Sequence, residues 1–447
     1  MGPGKQDQSW TAPFKKFSSR VGMWQDQPLG LFWDIGVHNT FGVSVLGYVA
    51  MLESPPEWVQ KSVVESYRRV AKGPGGWVTP ADLWSLKESF GLGMSIRNIS
   101  WVALASQARV RHIDAACKPD AEFLQVCGKV KRQIERLSRM MPTWRDWFGR
   151  IFCLTLLQAE QYLLRECGGI ECLRLSRQTQ HSGIQNDTTW KDELQKTVYK
   201  FISVRTAPHP VERMRHKLQR WALNDASRHT EVPGSVRQQT PAWSSRRACA
   251  YLALLKDLVA PRVHAAVFSL LWNRWSTARR FQRTAPCLFG CALETGQDSI
   301  EHYCKCQVTK TIFRTKLNLN ATELANIHTF VLVNPKIGTH QKLCLVALVT
   351  YGIYSVSNRL RSTGPCSSEQ AIDAVMQAIR EGVRGHAGAT KTLDDCWRRR
   401  ETTKPLPTPP LHPFEKSLLK YRMMTKPPTE RSETRIRLLE LAMEAEH

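Results

Sequence analysis

Four potential metal ligands occur as two close pairs, and this spacing constrains the local fold more than any other feature of the sequence. Cys287 and Cys291 form the first pair, and His302 and Cys306 form the second, which gives the pattern C-x3-C-x10-H-x3-C. Zinc prefers four ligands in a tetrahedron, and two short-range pairs supply that geometry while closing one modest loop. Because four protein ligands leave no open position, the pattern predicts a structural zinc site rather than a catalytic one.

Two alternatives remain open at this motif. Cys304 is close to Cys306 in the sequence and could replace it as the fourth ligand. The cysteines could also be buried thiols that cluster by chance, since the chain contains 13 of them. The histidine among them favours zinc, because imidazole nitrogen is one of its usual ligands. Gly290 allows the backbone to turn between the first two ligands.

A segment that mixes cationic and aromatic residues precedes the first cysteine pair. Its candidate nucleic-acid-binding residues are Arg274, Trp275, Arg279, Arg280, Phe281 and Arg283. Guanidinium groups bind phosphates and aromatic rings stack on exposed bases, so this mixture is typical of nucleic-acid binding. The alternative is an amphipathic helix that buries its aromatic residues, Trp275 among them. A basic helix earlier in the chain adds Lys129, Lys131 and Arg132 to the candidates.

The charge of the whole chain supports the same prediction. Lys and Arg total 63 against 39 Asp and Glu, which gives a formal net charge of +24. A cation of this size favours a polyanionic partner or an acidic surface, and RNA or DNA is the usual partner. A basic protein without a specific partner is the alternative. Hydrophobic residues make up 42% of the chain, enough to build packed cores, which excludes a globally disordered chain.

The sequence predicts a mainly α protein, with several helical bundles joined by polar linkers and one small CCHC zinc-binding motif. A chain of 447 residues is too long for one ordinary core, so we expect more than one domain. The predicted segments are a basic N-terminal extension (1–26), a first helical block (27–115), a second helical block (116–170), a polar linker with short helices (171–240), a helical domain containing the zinc motif at 287–306 (241–390), and a basic, proline-rich tail with a terminal helix (391–447).

Caps and apolar periodicity predict individual helices within these segments. Ser54-Pro55-Pro56-Glu57 and Thr79-Pro80-Ala81-Asp82 are helix starts, because a hydroxyl cap is followed by proline and an acid in the first turn. Val59, Val63, Tyr67 and Val70 recur at helical spacing and predict a buried stripe. Further helices are predicted at 211–223, 243–259, 263–281, 342–360 and 367–383.

The N-terminal region and the longest apolar run bear on localisation. The first 24 residues lack the continuous apolar stretch of a signal peptide. The run at 343–354 is too short to span a bilayer and predicts a buried helix. We therefore expect a soluble, intracellular protein with no membrane partner. In that setting the cysteines are expected to be free thiols and metal ligands rather than disulfides.

The cysteine motif and its surroundings resemble the C-terminal part of non-LTR (LINE-type) retrotransposon reverse transcriptases. The four ligands, with Asp298-Ser299-Ile300-Glu301 before the histidine, look like the zinc-binding region that follows the polymerase in that family. The segment 275–281 is similar to its lead-in, and 48–52 and 73–86 look like its thumb. The resemblance implies nucleic-acid binding and a nuclear location, for which the basic run Arg398-Arg399-Arg400 is further support.

The chain departs from that family where catalysis would occur. Polymerases of the family hold two metal ions with palm carboxylates that include a Tyr-x-Asp-Asp turn. This chain has no such turn, and its Asp394-Asp395 follows the cysteine motif, where a solvated helix end is expected. Pro119-Asp120 lacks the later acid-x-Lys partner of an endonuclease. We therefore predict no catalytic residue and no polymerase site in this chain.

Three hypotheses follow for the function. The leading one is a zinc-containing nucleic-acid-binding protein, derived from a retrotransposon reverse transcriptase, without a polymerase active site of its own. The second is a thumb and C-terminal subunit of a split RNA-directed DNA polymerase, which would act with a palm-bearing partner chain. The third is an adaptor that binds another protein through the zinc motif and the terminal helices.

Overall fold

A computed structural model of the chain describes residues 6–27, 29–112, 195–196, 198–200, 202–203, 209–222, 242–291 and 296–398. These residues are mainly helical and form no strand, which confirms the predicted mainly α class. The chain divides into two compact units, Met1–Pro210 and Val211–His447. The predicted block 116–170 with Lys129, Lys131 and Arg132, most of the predicted linker 171–240 and most of the tail 391–447 lie outside the described residues.

The first unit is built from helices α1 (Gln6–Trp24), α2 (Leu31–Val37), α3 (Ser44–Leu52), α4 (Glu57–Val70), α5 (Pro80–Trp84), α6 (Leu86–Phe90) and α7 (Ile99–His112). A π-helical turn, His38–Val43, joins α2 to α3. Helix α1 packs against this turn and α3, and it buries Trp10 and Phe17 completely. The described part of the predicted N-terminal extension (1–26), which is α1, therefore belongs to the core of this unit, because burying two large aromatic side chains holds α1 on its neighbours.

Helix α4 carries the apolar stripe that the periodicity predicts. Val59, Val63 and Tyr67 are buried, as is Val70 at the end of the helix. The start differs from the prediction, because the N-cap is Pro56 and no side chain makes a capping hydrogen bond, so Ser54 is not the cap.

The second predicted start is confirmed at Thr79. The Asp82 amide donates to Thr79 Oγ1 at 3.3 Å, and the Thr79 amide donates to Asp82 Oδ2 at 3.1 Å, which is a reciprocal capping box. The helix that follows is interrupted at Ser85, whose φ of −114° and ψ of 11° are not helical. One predicted helix is therefore two short ones, α5 and α6.

The second unit begins in α8 (Pro210–Ala222) and continues with α9 (Ala242–Leu258), α10 (Pro261–Leu271), α11 (Ile300–Lys305), α12 (Gln307–Thr311), α13 (Ala321–Leu324), α14 (Ile327–Phe330), α15 (His340–Thr363), α16 (Ser368–Val383) and α17 (Ala387–Trp397). Helix α15 packs against α16, α10 and α9, and its residues 343–350 are all buried. This confirms the buried helix predicted at 343–354. Ser367 and Gln370 form a capping box at the start of α16.

Two boundaries in this unit differ from the sequence prediction. The helix predicted at 263–281 ends at Leu271, and Asn273 has a φ of 55°, which no α-helix continues through. Helix α8 confirms the short helix predicted at 211–223 within the polar linker, and it buries Met214 and Trp221. The predicted domain end at residue 390 falls inside α17. This helix continues to Trp397 and packs on the unit through its buried Leu393.

Two helical stretches among the described residues are long and apolar enough to cross a bilayer by length and composition. One is Leu31–Leu52, with 39% of its most apolar window buried, and the other is His340–Thr363, with 72% buried. The second is the central core helix of its unit, and such helices pass the same test. The first leaves the aromatic side chains of Trp33, Phe41 and Tyr48 exposed.

Gly352 permits the close crossing of α15 and α16, and this contact can be tested. A Cβ atom at this position would lie 2.9 Å from Val375 Cγ1 and 3.1 Å from the Val375 carbonyl oxygen. We expect Gly352→Ala to lower the free energy of unfolding by about 1–3 kcal/mol, as overpacking does. The measurement is urea unfolding followed by circular dichroism.

Gly47→Ala is the matched control, because Gly47 is also helical but nothing lies within 4 Å of its added Cβ atom. This change is expected to raise the free energy of unfolding by up to about 1 kcal/mol, since alanine favours a helix over glycine. Equal effects of the two substitutions would contradict the close crossing.

Candidate metal centre and its basic turn

The first ligand pair lies on a tight loop that is closed by backbone pairing. The Cys287 amide donates to the Gly296 carbonyl at 2.8 Å, and the Asp298 amide donates to the Ala285 carbonyl at 2.9 Å. These bonds flank an isolated antiparallel bridge between Pro286 and Gln297, so both arms of the loop are held side by side. This pairing places the segment that leads to His302 and Cys306 beside the segment that carries Cys287.

The second pair flanks the short helix α11. Ser299 is the N-cap, and its Oγ accepts a hydrogen bond from the His302 amide at 3.1 Å, which places the histidine in the first turn. Cys306 ends the helix with φ −57° and ψ 147°, outside the helical region. His302 and Cys306 thus project from opposite ends of one helical turn towards the loop.

The four predicted ligands, hereafter the CCHC cluster, come together in the structure. The ligand atoms of Cys287, Cys291, His302 and Cys306 all lie within 4.8 Å of one another. The two sulfurs of Cys287 and Cys306 are 4.0 Å apart, and Cys291 Sγ is 3.2 Å from His302 Nε2. A tetrahedral zinc with Zn–S bonds near 2.3 Å separates its sulfurs by about 3.8 Å. The cluster could therefore hold a metal ion with little rearrangement.

Cys304 is not part of the cluster. Its side chain is buried, and burial raises the pKa of its thiol well above the ordinary value. The described geometry thus groups Cys306 with the other ligands and leaves Cys304 as a packed apolar side chain, which burial makes unreactive.

Proton release accompanies any cation that binds the cluster. The hydrogen bond with Cys306, followed by burial, raises the pKa of the Cys287 thiol to about 12. Thiolate is the form that binds metal, so a cation must displace this proton. Metal affinity is therefore expected to increase with pH.

The loop between the first two ligands is braced by the start of α16. The Leu288 carbonyl accepts a hydrogen bond from the Cys366 amide at 3.1 Å. Ser368 Oγ donates to the carbonyls of Phe289 and Gly290, at 3.1 and 2.9 Å. Sequence reasoning missed this support, because it comes from residues that lie nearly eighty positions further along the chain.

Asp298 connects the cluster to two other parts of the unit. Its carboxylate accepts hydrogen bonds from the Tyr303 hydroxyl at 2.7 Å and from the Ala278 amide at 2.7 Å, and it pairs with Arg361 of α15 at 3.2 Å. The side chain of Asp298 is 6% exposed. Burial, followed by the negative charge of Asp298, raises the pKa of Tyr303, so the phenol stays protonated and donates.

The predicted basic segment forms a short turn over α11. Residues 278–283, hereafter the basic turn, contain the 3₁₀ helix Arg279–Phe281 and end beyond Gln282, which has a left-handed φ of 57°. Arg279 Nη1 lies 3.5 Å from Glu301 Oε1, one residue before the ligand His302. Phe281 is 52% exposed, and Arg283 is also exposed.

Two predicted nucleic-acid-binding residues face inward. Trp275 is 1% exposed and packs 5.4 Å from the ring of Tyr354, so it cannot stack on a base. Burial of Trp275 agrees with the alternative interpretation of this segment, in which its aromatic residues pack into the core, and not with a role in nucleic-acid binding. Arg274 is half-buried, and its guanidinium lies 3.4 Å from Ser269 Oγ.

Arg280 is also half-buried, and burial, followed by the charge of Arg220, lowers its pKa. Arg220 is an exposed cation of α8 that the sequence prediction omitted, since it falls in the predicted linker. Two arginines near each other favour an anionic partner. The periodicity of α8 could have predicted that Arg220 is exposed, but not that Arg280 lies near it.

The chain was compared with protein-family models, curated proteins and solved structures. None of the three comparisons found a match. The likeness to retrotransposon reverse transcriptases therefore stays a prediction from the sequence.

The conformation of Gly290 gives a test of the cluster. Its φ is +57°, and an added Cβ atom would overlap the carbonyl oxygen of Cys366. We expect Gly290→Ala to weaken zinc binding by about 10-fold to 100-fold, the range observed when support around metal ligands is lost. The measurement is zinc affinity in competition with a chelator.

Gly338→Ala separates backbone strain from the overlap. Gly338 also has a positive φ, +49°, but the atom nearest to its added Cβ would be 3.7 Å away. We expect this variant to retain the zinc affinity of the wild type. A similar loss in both variants would contradict a specific contact between the Gly290 loop and the start of α16.

Proposed function

We propose that this chain is a zinc-containing nucleic-acid-binding protein, derived from a retrotransposon reverse transcriptase and without a polymerase active site of its own. The observation that carries the proposal is the juxtaposition of the CCHC cluster with the basic turn, through Asp298 and Glu301. The cluster supplies a rigid support, and the turn supplies the contact surface. The structural zinc and the RNA or DNA partner are both part of the proposal.

The ligand set supports zinc as the cation. Three thiolates and one imidazole are soft and borderline donors, which zinc prefers and which magnesium and calcium do not. All four ligands come from the protein, so a bound zinc would have no position for substrate or water. Its role would be to hold the loop at Cys287 and the helix α11 together.

Zinc content tests this assignment. We expect one zinc per wild-type chain and loss of the zinc in Cys306→Ala, because that change removes a ligand. Cys304→Ala is the matched control, since Cys304 is a buried thiol only two positions away and outside the cluster. It should retain zinc. The measurement is elemental mass spectrometry, and a folded wild type without zinc would refute the assignment.

The chemistry of the basic turn supports nucleic acid as the partner. Arg279 and Arg283 can contact phosphates, and the exposed ring of Phe281 between them can stack on an unpaired base. A 3₁₀ turn of three residues is too short to enter a duplex groove as a recognition helix. Arg220 and Arg280 extend the positive surface, and the net charge of +24 adds long-range attraction.

Salt dependence tests the partner. For a fluorescent single-stranded RNA, we expect Arg283→Ala to reduce the slope of log affinity against log salt by about 0.7, the contribution of one phosphate contact. Phe281→Ala should weaken binding by about 1–3 kcal/mol without changing that slope, because stacking releases no counterion. The measurement is fluorescence anisotropy at several salt concentrations.

Lys256→Ala is the control for the change in charge, because Lys256 is an exposed cation at the end of α9. Its slope and affinity should match those of the wild type. Undetectable binding by the wild type, or an affinity that does not vary with salt, would refute nucleic-acid binding.

A further inference from the structure

Three contacts join the basic turn to the start of the ligand-bearing helix α11, and one of them is a backbone hydrogen bond from the Arg279 amide to the Asp298 carbonyl at 3.3 Å. The Ala278 amide donates to Asp298 Oδ2 at 2.7 Å, and Arg279 pairs with Glu301 at 3.5 Å. Asp298 immediately precedes Ser299, the N-cap of α11, and Glu301 immediately precedes the ligand His302. A shift of α11 must therefore move the acceptors that hold the turn.

Helix α11 cannot hold its own position, because it has six residues. Helices this short are unstable by themselves in water, since nucleation costs more than a few backbone hydrogen bonds return. Its position depends on its attachments, which include the ligand His302 within it and the ligand Cys306 directly after it. A cation bound to the CCHC cluster would fix both ligands, and therefore the helix.

Asp298 transmits this position to the basic turn. Its buried carboxylate requires the donors that surround it, because an unpaired charge away from water is strongly unfavourable. Tyr303 supplies one donor from α11, and Arg361 supplies another from α15. The carboxylate therefore joins the Ala278 amide of the basic turn to a donor on α11 and a donor on α15 at the same time.

We infer that cation binding at the CCHC cluster and nucleic-acid binding at the basic turn are coupled through Asp298, which acts as a positioning residue. The inference rests on the proposed function, because it requires that the turn bind nucleic acid. Zinc then raises the affinity for RNA, and RNA raises the affinity for zinc by the same factor. The chain would bind tightly only in its metal-loaded form.

The experiment measures this linkage in both directions on the full chain. The RNA affinity is measured by anisotropy with zinc bound and after removal of zinc by a chelator. The zinc affinity is measured by chelator competition with and without saturating single-stranded RNA. We expect each ligand to strengthen the other by about 10-fold, within the usual range for coupled sites. The salt slope should also fall when zinc is removed, because fewer phosphates are contacted.

Asp298→Asn tests the residue itself. The amide keeps the shape of the side chain but removes the charge that pairs with Arg361. We expect the variant to retain its zinc. Zinc should then change the RNA affinity, and RNA the zinc affinity, by less than about 2-fold, well below the usual coupling. Arg361→Gln removes the same ion pair by changing its partner on α15. This variant replaces Asp298→Asn as the test if Asp298→Asn fails to fold. Asp395→Asn, on α17, is the control for the same change of charge.

The outcomes separate the inference from the proposed function. If the zinc-loaded wild type binds no RNA at any salt concentration, the proposed function fails and the inference fails with it. If the wild type binds RNA with equal affinity with and without zinc, only the coupling is refuted. Loss of the helical circular dichroism signal on chelation would also refute it, because affinity would then fall through general unfolding. Full coupling in both Asp298→Asn and Arg361→Gln would refute the role of Asp298.

Discussion

The buried carboxylate of Asp298 is the interaction at which the parts of the second unit meet. It accepts hydrogen bonds from the Tyr303 hydroxyl of α11, the Arg361 guanidinium of α15 and the Ala278 amide of the basic turn. A charge buried to this extent is tolerated because its oxygens are paired, and removing one partner of such a pair typically costs about 3–5 kcal/mol. The cluster, the turn and the core helix are therefore constrained by one another rather than folded separately.

Helix α15 supplies the rigid side of this arrangement. Its middle is buried among α9, α10 and α16, and Gly352 allows α16 to approach its backbone closely. The last turns of α15 carry Tyr354, which covers Trp275, and Arg361, which reaches Asp298. The chain that follows it braces the Gly290 loop. The metal ligands thus lie on a loop and a short helix that are attached to the central buried helix of the unit.

The early end of α10 decides which side chains face solvent. A continuous helix from 263 to 281 would alternate its aromatic residues between core and surface at helical spacing. The left-handed Asn273 instead redirects the chain, so Trp275 enters the core while Phe281 remains outside. The surface chemistry of the basic turn therefore depends on a backbone conformation, and not on the composition of the segment alone.

Local signals in the sequence were sufficient for much of the fold. The mainly α class, the buried stripe of α4, the helix starts at Thr79 and Ser367, and the buried run in α15 follow from caps and periodicity, which involve residues within a few turns of each other. The grouping of the four metal ligands also followed from their spacing. The inclusion of α1 in a core and the choice between Cys304 and Cys306 did not.

The sequence by itself determined the helical elements and the set of residues that can bind a metal, because both depend on neighbours close along the chain. Tertiary structure alone decided that Arg361 pairs with Asp298, that Ser368 braces the Gly290 loop, and that Arg220 lies near Arg280. These contacts join positions about 60 to 80 residues apart. No local propensity encodes such pairs, since they form only when separate helices have packed on a common core.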